Sequence, residues 1–245
     1  MKTAIILTAT IDPKNMILVE RKSAEQRLND YLIAFDFWCK NTQVKNIIFI
    51  ENSGYNLEKF ENKKKIFNDK NIEIISLNLN DTFSNKLGKG YGEHLCIKET
   101  ILKSNILKDT DIIFKISGRY VIKNFDKIFS SCKKDTNSIN VYTKDNLSFI
   151  DSFFISAPKI FFKDYVVPHT KNVNDSKNIF FEHCLSKALL SAMSDGYKLI
   201  QIPVLPIIEG YIGTNNKKFK YNIFKKIKLL IYGKLKNYFI SHKKY

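Results

Sequence analysis

Short apolar, β-branched runs alternate with segments of helical period through most of the chain, and this alternation limits the fold more than any other feature. Residues 4–10 (AIILTAT), 47–50, 72–77 and 111–117 (DIIFKIS) read as buried strands. Between them, Leu28, Leu32, Phe35 and Trp38 or Cys39 recur every three or four residues after Ser23, which forms a capping box with Gln26. Further helices are predicted over 57–67 and from Glu93 to about residue 105, the second following the glycines of LGKGYGE. After Asn124 come a short helix, strands at 139–143 and 149–156, and a helix over about 178–193. Strand–helix alternation at this spacing predicts βαβ units and a mainly parallel α/β sheet with helices on both faces.

A chain of 245 residues suits one such domain with an appendage, and 44% hydrophobic and 13% aromatic content excludes a disordered class. No apolar run reaches the roughly 18 residues that a membrane-spanning helix needs. The apolar start runs into Asp12-Pro13 without a cleavage pattern, so it reads as a strand and not a leader. Cys39, Cys96, Cys132 and Cys184 are widely spaced, form no C-x-x-C pair, and read as buried thiols of a reducing compartment. Of the formal net charge of +16, ten lysines fall within residues 217–245, where there is no acid. The body, residues 1–215, is therefore only mildly basic and is expected to be a domain distinct from a basic tail at 216–245.

Ligands of open α/β sheets lie beyond the carboxyl ends of the strands. The loops there carry Thr8 and Thr10, then Glu51, Asn52 and Ser53, then Ser117, Gly118 and Arg119. Hydroxyl, acid and amide groups at neighbouring strand ends suit a base and ribose, and they equally suit turn and cap chemistry. In Gly88-Lys89-Gly90-Tyr91-Gly92-Glu93, backbone amides such as those of Gly90 and Gly92 are able to approach a phosphate while Lys89 adds charge. The spacing is neither Walker A nor G-x-G-x-x-G, and a turn that only caps a helix is the alternative.

Taken in order, that glycine turn, Phe114-Lys115-Ile116-Ser117-Gly118-Arg119-Tyr120, Phe180-Phe181-Glu182-His183 and Ile208-Glu209-Gly210-Tyr211-Ile212-Gly213-Thr214 resemble bacterial capsule and lipopolysaccharide glycosyltransferases. The resemblance implies a GT-A-like fold over roughly residues 1–215. It also implies transfer from a nucleotide-sugar, UDP-linked before CMP-linked, to a saccharide or lipid-linked acceptor. The strand that in such enzymes ends in an Asp-x-Asp metal site ends here in Lys115-Ile116-Ser117, so no metal and no other cofactor is expected. Lys115 and Arg119, with Lys89 behind them, are the candidates to neutralise the leaving phosphate. Arg119 is one of three arginines among 40 basic residues, and an ordinary ion pair is its alternative role.

By the same resemblance Glu182, and after it His183, takes the proton of the acceptor hydroxyl. A first-turn acid favoured by the helix dipole and a surface histidine are the plainer readings. Glu93-His94, also at a helix start, is the reserve pair. Asp151 is a candidate for an acceptor hydroxyl or a simple strand-edge charge, and the resemblance implies that residues 210–214 close over the donor phosphates, a surface loop with no ligand contact being the alternative.

In the tail, Phe219, Ile223, Phe224, Ile227, Leu230, Ile231 and Leu235 form one apolar stripe among lysines. This pattern suits a helix lying on an anionic membrane surface, on the cytoplasmic side, and equally a helix that packs its stripe on the parent domain or a second subunit. A nucleic-acid partner is not expected, because the lysine excess sits in the tail and no nucleic-acid-binding motif is present. Nucleic-acid binding and an inactive scaffold of a membrane assembly remain the alternatives from other classes.

Overall fold

The computed structural model describes residues 1–79, 82–144 and 147–219, so the tail reading lies almost wholly outside the described residues. The elements in order are β1 (Thr3–Ala9), α1 (Ala24–Asn41), β2 (Asn46–Glu51), α2 (Glu58–Lys64), β3 (Asn71–Ser76) and α3 (Gly88–Lys103). They continue with β4 (Ile112–Ser117), β5 (Val121–Ile122), α4 (Phe125–Ser131), β6 (Ser138–Lys144) and β7 (Phe149–Pro158). Then follow α5 (Lys159–Phe161), a π-helical turn, α6 (Val167–Thr170), α7 (Phe181–Ser194), β8 (Lys198–Gln201) and β9 (Ile208–Glu209).

Seven strands form one sheet in the order β3-β2-β1-β4-β7-β6-β8. All pairings are parallel except those made by β7, which runs against both β4 and β6. The amino end of β7 therefore joins the carboxyl ends of the other strands at one edge, where an α/β sheet binds its ligand. β5 and β9 form a separate two-stranded antiparallel ribbon that ties the late 208–214 segment to the end of β4.

Alternation along the central strands divides the core into two layers. Ile5, Leu7, Phe114 and Ile116 face α1, α2 and α4, where Phe49 stacks on Phe60 at 4.3 Å between centroids. Ala4, Ile6 and Ile113 face α3 and α7 with Ile97, Leu185 and Leu189. The Ser23 cap is present, its hydroxyl accepting from the Gln26 amide at 3.3 Å. All six strands read from the sequence are present. α3, in contrast, begins at Gly88, so the glycines lie inside the helix's first turns instead of preceding it at Glu93. Contacts also continue past residue 215: the Phe219 amide bonds the Gly210 carbonyl and its ring meets Tyr120 edge-on at 5.2 Å. Among the described residues, no helix is long and apolar enough to cross a membrane.

Candidate functional site

The polar carboxyl edge of the sheet is built by side chains that leave β1, β2 and β4 toward α3 and α7. Lys115 sits on this face with no exposed surface. Its ammonium forms an ion pair with Glu93 of α3, donates to the Ser152 carbonyl at 2.5 Å, and lies 5.7 Å from the centre of the Phe181 ring. A charge so placed is stable only when paired, and Glu93 supplies the partner while also accepting from the Thr8 hydroxyl at 3.3 Å. The expectation that Lys115 meets a donor phosphate is therefore corrected: it is a buried structural cation. Glu93, the reserve base, is engaged with it. His94 is 3% exposed, bonds Thr170 through Nδ1 at 2.8 Å, and is pushed down to about 4 by burial and by Lys98.

The β2 end is also engaged internally. Glu51 is fully buried and accepts from the amides of Ile11, Ser53 and Tyr55, so it pins the loops after β1 and β2 together and is closed to a ribose. Asn52 accepts from the Thr10 hydroxyl at 2.8 Å and donates to the Gly92 carbonyl at 2.9 Å, which ties both loops to α3. Thr10 and Ser117 remain half-exposed at the edge.

The amino end of α3 is filled by Asp175, a residue from the 171–180 segment that the sequence reading did not single out. Its carboxylate is drawn electrostatically to the Lys89 and Gly90 amides, while its buried Oδ2 has no hydrogen-bond partner among the described residues. Gly88 has φ +78°, and a Cβ there would stand 2.1 Å from Asp175 Oδ2, so glycine is required. Where the Gly90 and Gly92 amides are expected to meet a phosphate, a carboxylate of the chain itself stands beside Gly88 and Gly90, and Gly92 lies within the helix with its carbonyl accepting from Asn52. Burial pushes Asp175 up to about 6 against the opposing pull of those amides and of Lys89.

Two cations are left without such partners. Lys89 makes no hydrogen bond or ion pair among the described residues, and burial followed by repulsion from Arg119 holds its ammonium below the usual lysine range. Arg119 donates to the Tyr211 carbonyl at 3.1 Å and to the Tyr120 hydroxyl at 3.2 Å, with no carboxylate in ion-pair reach among the described residues. The 210–214 loop lies directly against it, since a Cβ at Gly213 would stand 2.8 Å from Arg119 Nη2. Arg21 and Arg27 buttress this end. Arg21 pairs with Asp30 and lies 4.0 Å above the Tyr211 ring centre, while Arg27 grips the Thr10 carbonyl at 2.7 Å through Nε. All three arginines of the chain thus gather at one edge, a signal that their scarcity among the lysines carries.

Opposite them, at the start of α7, Glu182 interacts electrostatically with Lys89 and accepts the Ser152 hydroxyl at 2.7 Å. His183 is half-buried between the Phe149 and Phe180 rings. Asp151 is engaged by Lys144 at 2.6 Å. Among the described residues no three His, Cys, Asp or Glu side chains group together, and Lys115 near the end of β4 is ion-paired with Glu93.

No protein-family model matches the chain, and no curated protein matches it in sequence. Its fold is similar to that of the apo form of the glycosyltransferase GlyE of Streptococcus pneumoniae, at TM-score 0.54 and 11% identity over 100% of this chain and 65% of that one. The galactosyltransferase LgtC in complex with donor and acceptor sugar analogs aligns at TM-score 0.49 and 8% identity over 81% of this chain and 72% of that one. The inositol-1-phosphate CTP transferase of T. maritima aligns at TM-score 0.48 and 13% identity over 96% of each chain. At these identities the likeness is one of fold, and the fold is GT-A-like.

Proposed function

We propose that this chain is a glycosyltransferase that takes a sugar from a nucleotide-sugar, UDP-linked before CMP-linked, to a saccharide or lipid-linked acceptor in surface-glycan synthesis. The observation that carries the reading is the pair Lys89 and Arg119, two cations at the ligand edge of the sheet that repel each other and have no carboxylate in ion-pair contact among the described residues, Glu182, Asp175 and Glu93 acting on Lys89 only at longer range. Such a pair is stabilised by an anion, and a donor phosphate supplies one where charge develops as the leaving group departs. Thr10 and Ser117 are left to meet the nucleoside.

In the inverting case, Glu182 takes the acceptor proton as the acceptor oxygen bonds the anomeric carbon. The electron pair of the breaking glycosyl–phosphate bond leaves with the phosphate, toward Lys89 and Arg119. His183, packed between two rings, is the second candidate for the base. No step uses a metal, in keeping with the donor set around Lys115.

A thermal-shift screen of UDP-, GDP-, CMP- and dTDP-sugars in EDTA tests this. At least one donor should raise the unfolding midpoint in the chelator, since a ligand at a hundred times its Kd stabilises the fold by about 2.7 kcal/mol. Stabilisation that appears only with added Mn²⁺ contradicts metal independence, and none with any donor contradicts the function.

The membrane association of the tail belongs to the same proposal. Lys218 bridges to Tyr211 and Phe219 packs on Tyr120, so the chain leaves the described fold beside Arg119. A lipid-bound tail would hold the site near a lipid-linked acceptor, with each lysine near anionic lipid contributing about 1 kcal/mol. A chain ending at Phe219 should fold, turn over a soluble acceptor and lose binding to anionic vesicles. Equal vesicle binding by the shortened and full chains contradicts anchoring.

A further inference from the structure

The pairing of β7 with β6 is interrupted where β7 reaches the site. Val141 pairs with Ile155 and Thr143 with Ile150, so two steps along β6 oppose five along β7, and residues 151–154 bulge from the β6 edge. Bulges bend a strand and re-aim its side chains, and they recur beside active sites. Here the bulge is held by the Lys115 ammonium, which donates to the Ser152 carbonyl at 2.5 Å. It is tied to α7 by the Ser152 hydroxyl, which donates to Glu182 Oε1 at 2.7 Å.

We propose that Ser152 is a positioning residue: its hydroxyl aims the Glu182 carboxylate toward the acceptor, with the buried Lys115–Glu93 pair setting the height of the bulge. The proposal rests on the reading of Glu182 as the acceptor's base. Glu182 stands in the first turn of α7, and its neighbour Phe180, the helix's N-cap, supplies no side-chain hydrogen bond there. A carboxylate on a flexible two-methylene stem samples several rotamers, and one charge-assisted hydrogen bond selects among them. By occupying Oε1, Ser152 leaves Oε2 for the acceptor proton.

The test is a double-mutant cycle read as nucleotide released from a UDP-hexose or a CMP-linked sugar, with water as acceptor, and with unfolding midpoints recorded for every variant. Ser152→Ala should lower kcat about tenfold or more, the scale of one hydrogen bond to a charged group, with KM changed less than about twofold. Ser152→Thr should restore most of the rate, and Ser152→Cys, a weak donor of similar size, should resemble the alanine variant if that one folds poorly. In a Glu182→Gln background, Ser152→Ala should cost nothing further, because the two act as one unit.

Wild-type turnover by Ser152→Ala beside an impaired Glu182→Gln overturns the positioning role alone. An equal loss from Ser152→Ala in both backgrounds also overturns it, since the serine then acts through the fold. Normal turnover by Glu182→Gln, or no release by the unsubstituted chain, overturns the base assignment or the function first and this proposal with it.

Discussion

Lys115→Ala is expected to destabilise the domain by about 3–5 kcal/mol, because it leaves the Glu93 carboxylate, 20% exposed, beneath α7 without its partner. For a domain of this size the unfolding midpoint should fall on the order of 10 °C. Pairing the change with Glu93→Leu, as Lys115→Met/Glu93→Leu, should recover most of the loss, since two apolar groups of similar volume carry no desolvation penalty. Thermal unfolding of the two variants beside the unsubstituted chain checks this. A Lys115→Ala chain with an unchanged midpoint and lost donor binding would return Lys115 to the phosphate.

The second large effect concerns the acceptor proton. Glu182→Gln keeps the shape and the bond from Ser152 but removes the base, so turnover should fall by about 10² to 10⁴ with donor affinity little changed. Steady-state rates beside donor binding separate the two quantities. Should both Glu182→Gln and His183→Ala turn over normally, the base is neither. Glu93 would not inherit the role without freeing Lys115.

Much of the scaffold was legible because its strands are continuous apolar runs, the pattern that burial on both faces imposes on a mainly parallel sheet. β8, with only four residues, and the two-residue β5 and β9 gave no periodicity to read. At the site, the strand-end loops, Arg119, Glu182 and the 210–214 loop lie together at one edge of the sheet. Lys115 and Glu51 were misjudged for one reason: a charged residue at a strand end looks the same in sequence whether it faces a ligand or a buried partner. Asp175 and Ser152 were missed because their partners lie far along the chain, Gly90 for the first and Glu182 for the second. The rarity of arginine was the stronger signal. It was noted for Arg119, and Arg21 and Arg27 buttress the same edge.

The central claim is that Lys89 and Arg119 hold the donor's phosphate. Calorimetric titration of UDP, and of CMP in parallel, into the unsubstituted chain and a Lys89→Ala/Arg119→Ala variant in EDTA tests it most directly. The account predicts binding of at least one nucleotide by the unsubstituted chain and a loss of affinity of roughly a hundredfold or more in the variant, two bonds to a charged group being removed. Equal affinity in a variant that remains folded, or no binding of either nucleotide by the unsubstituted chain, would contradict it.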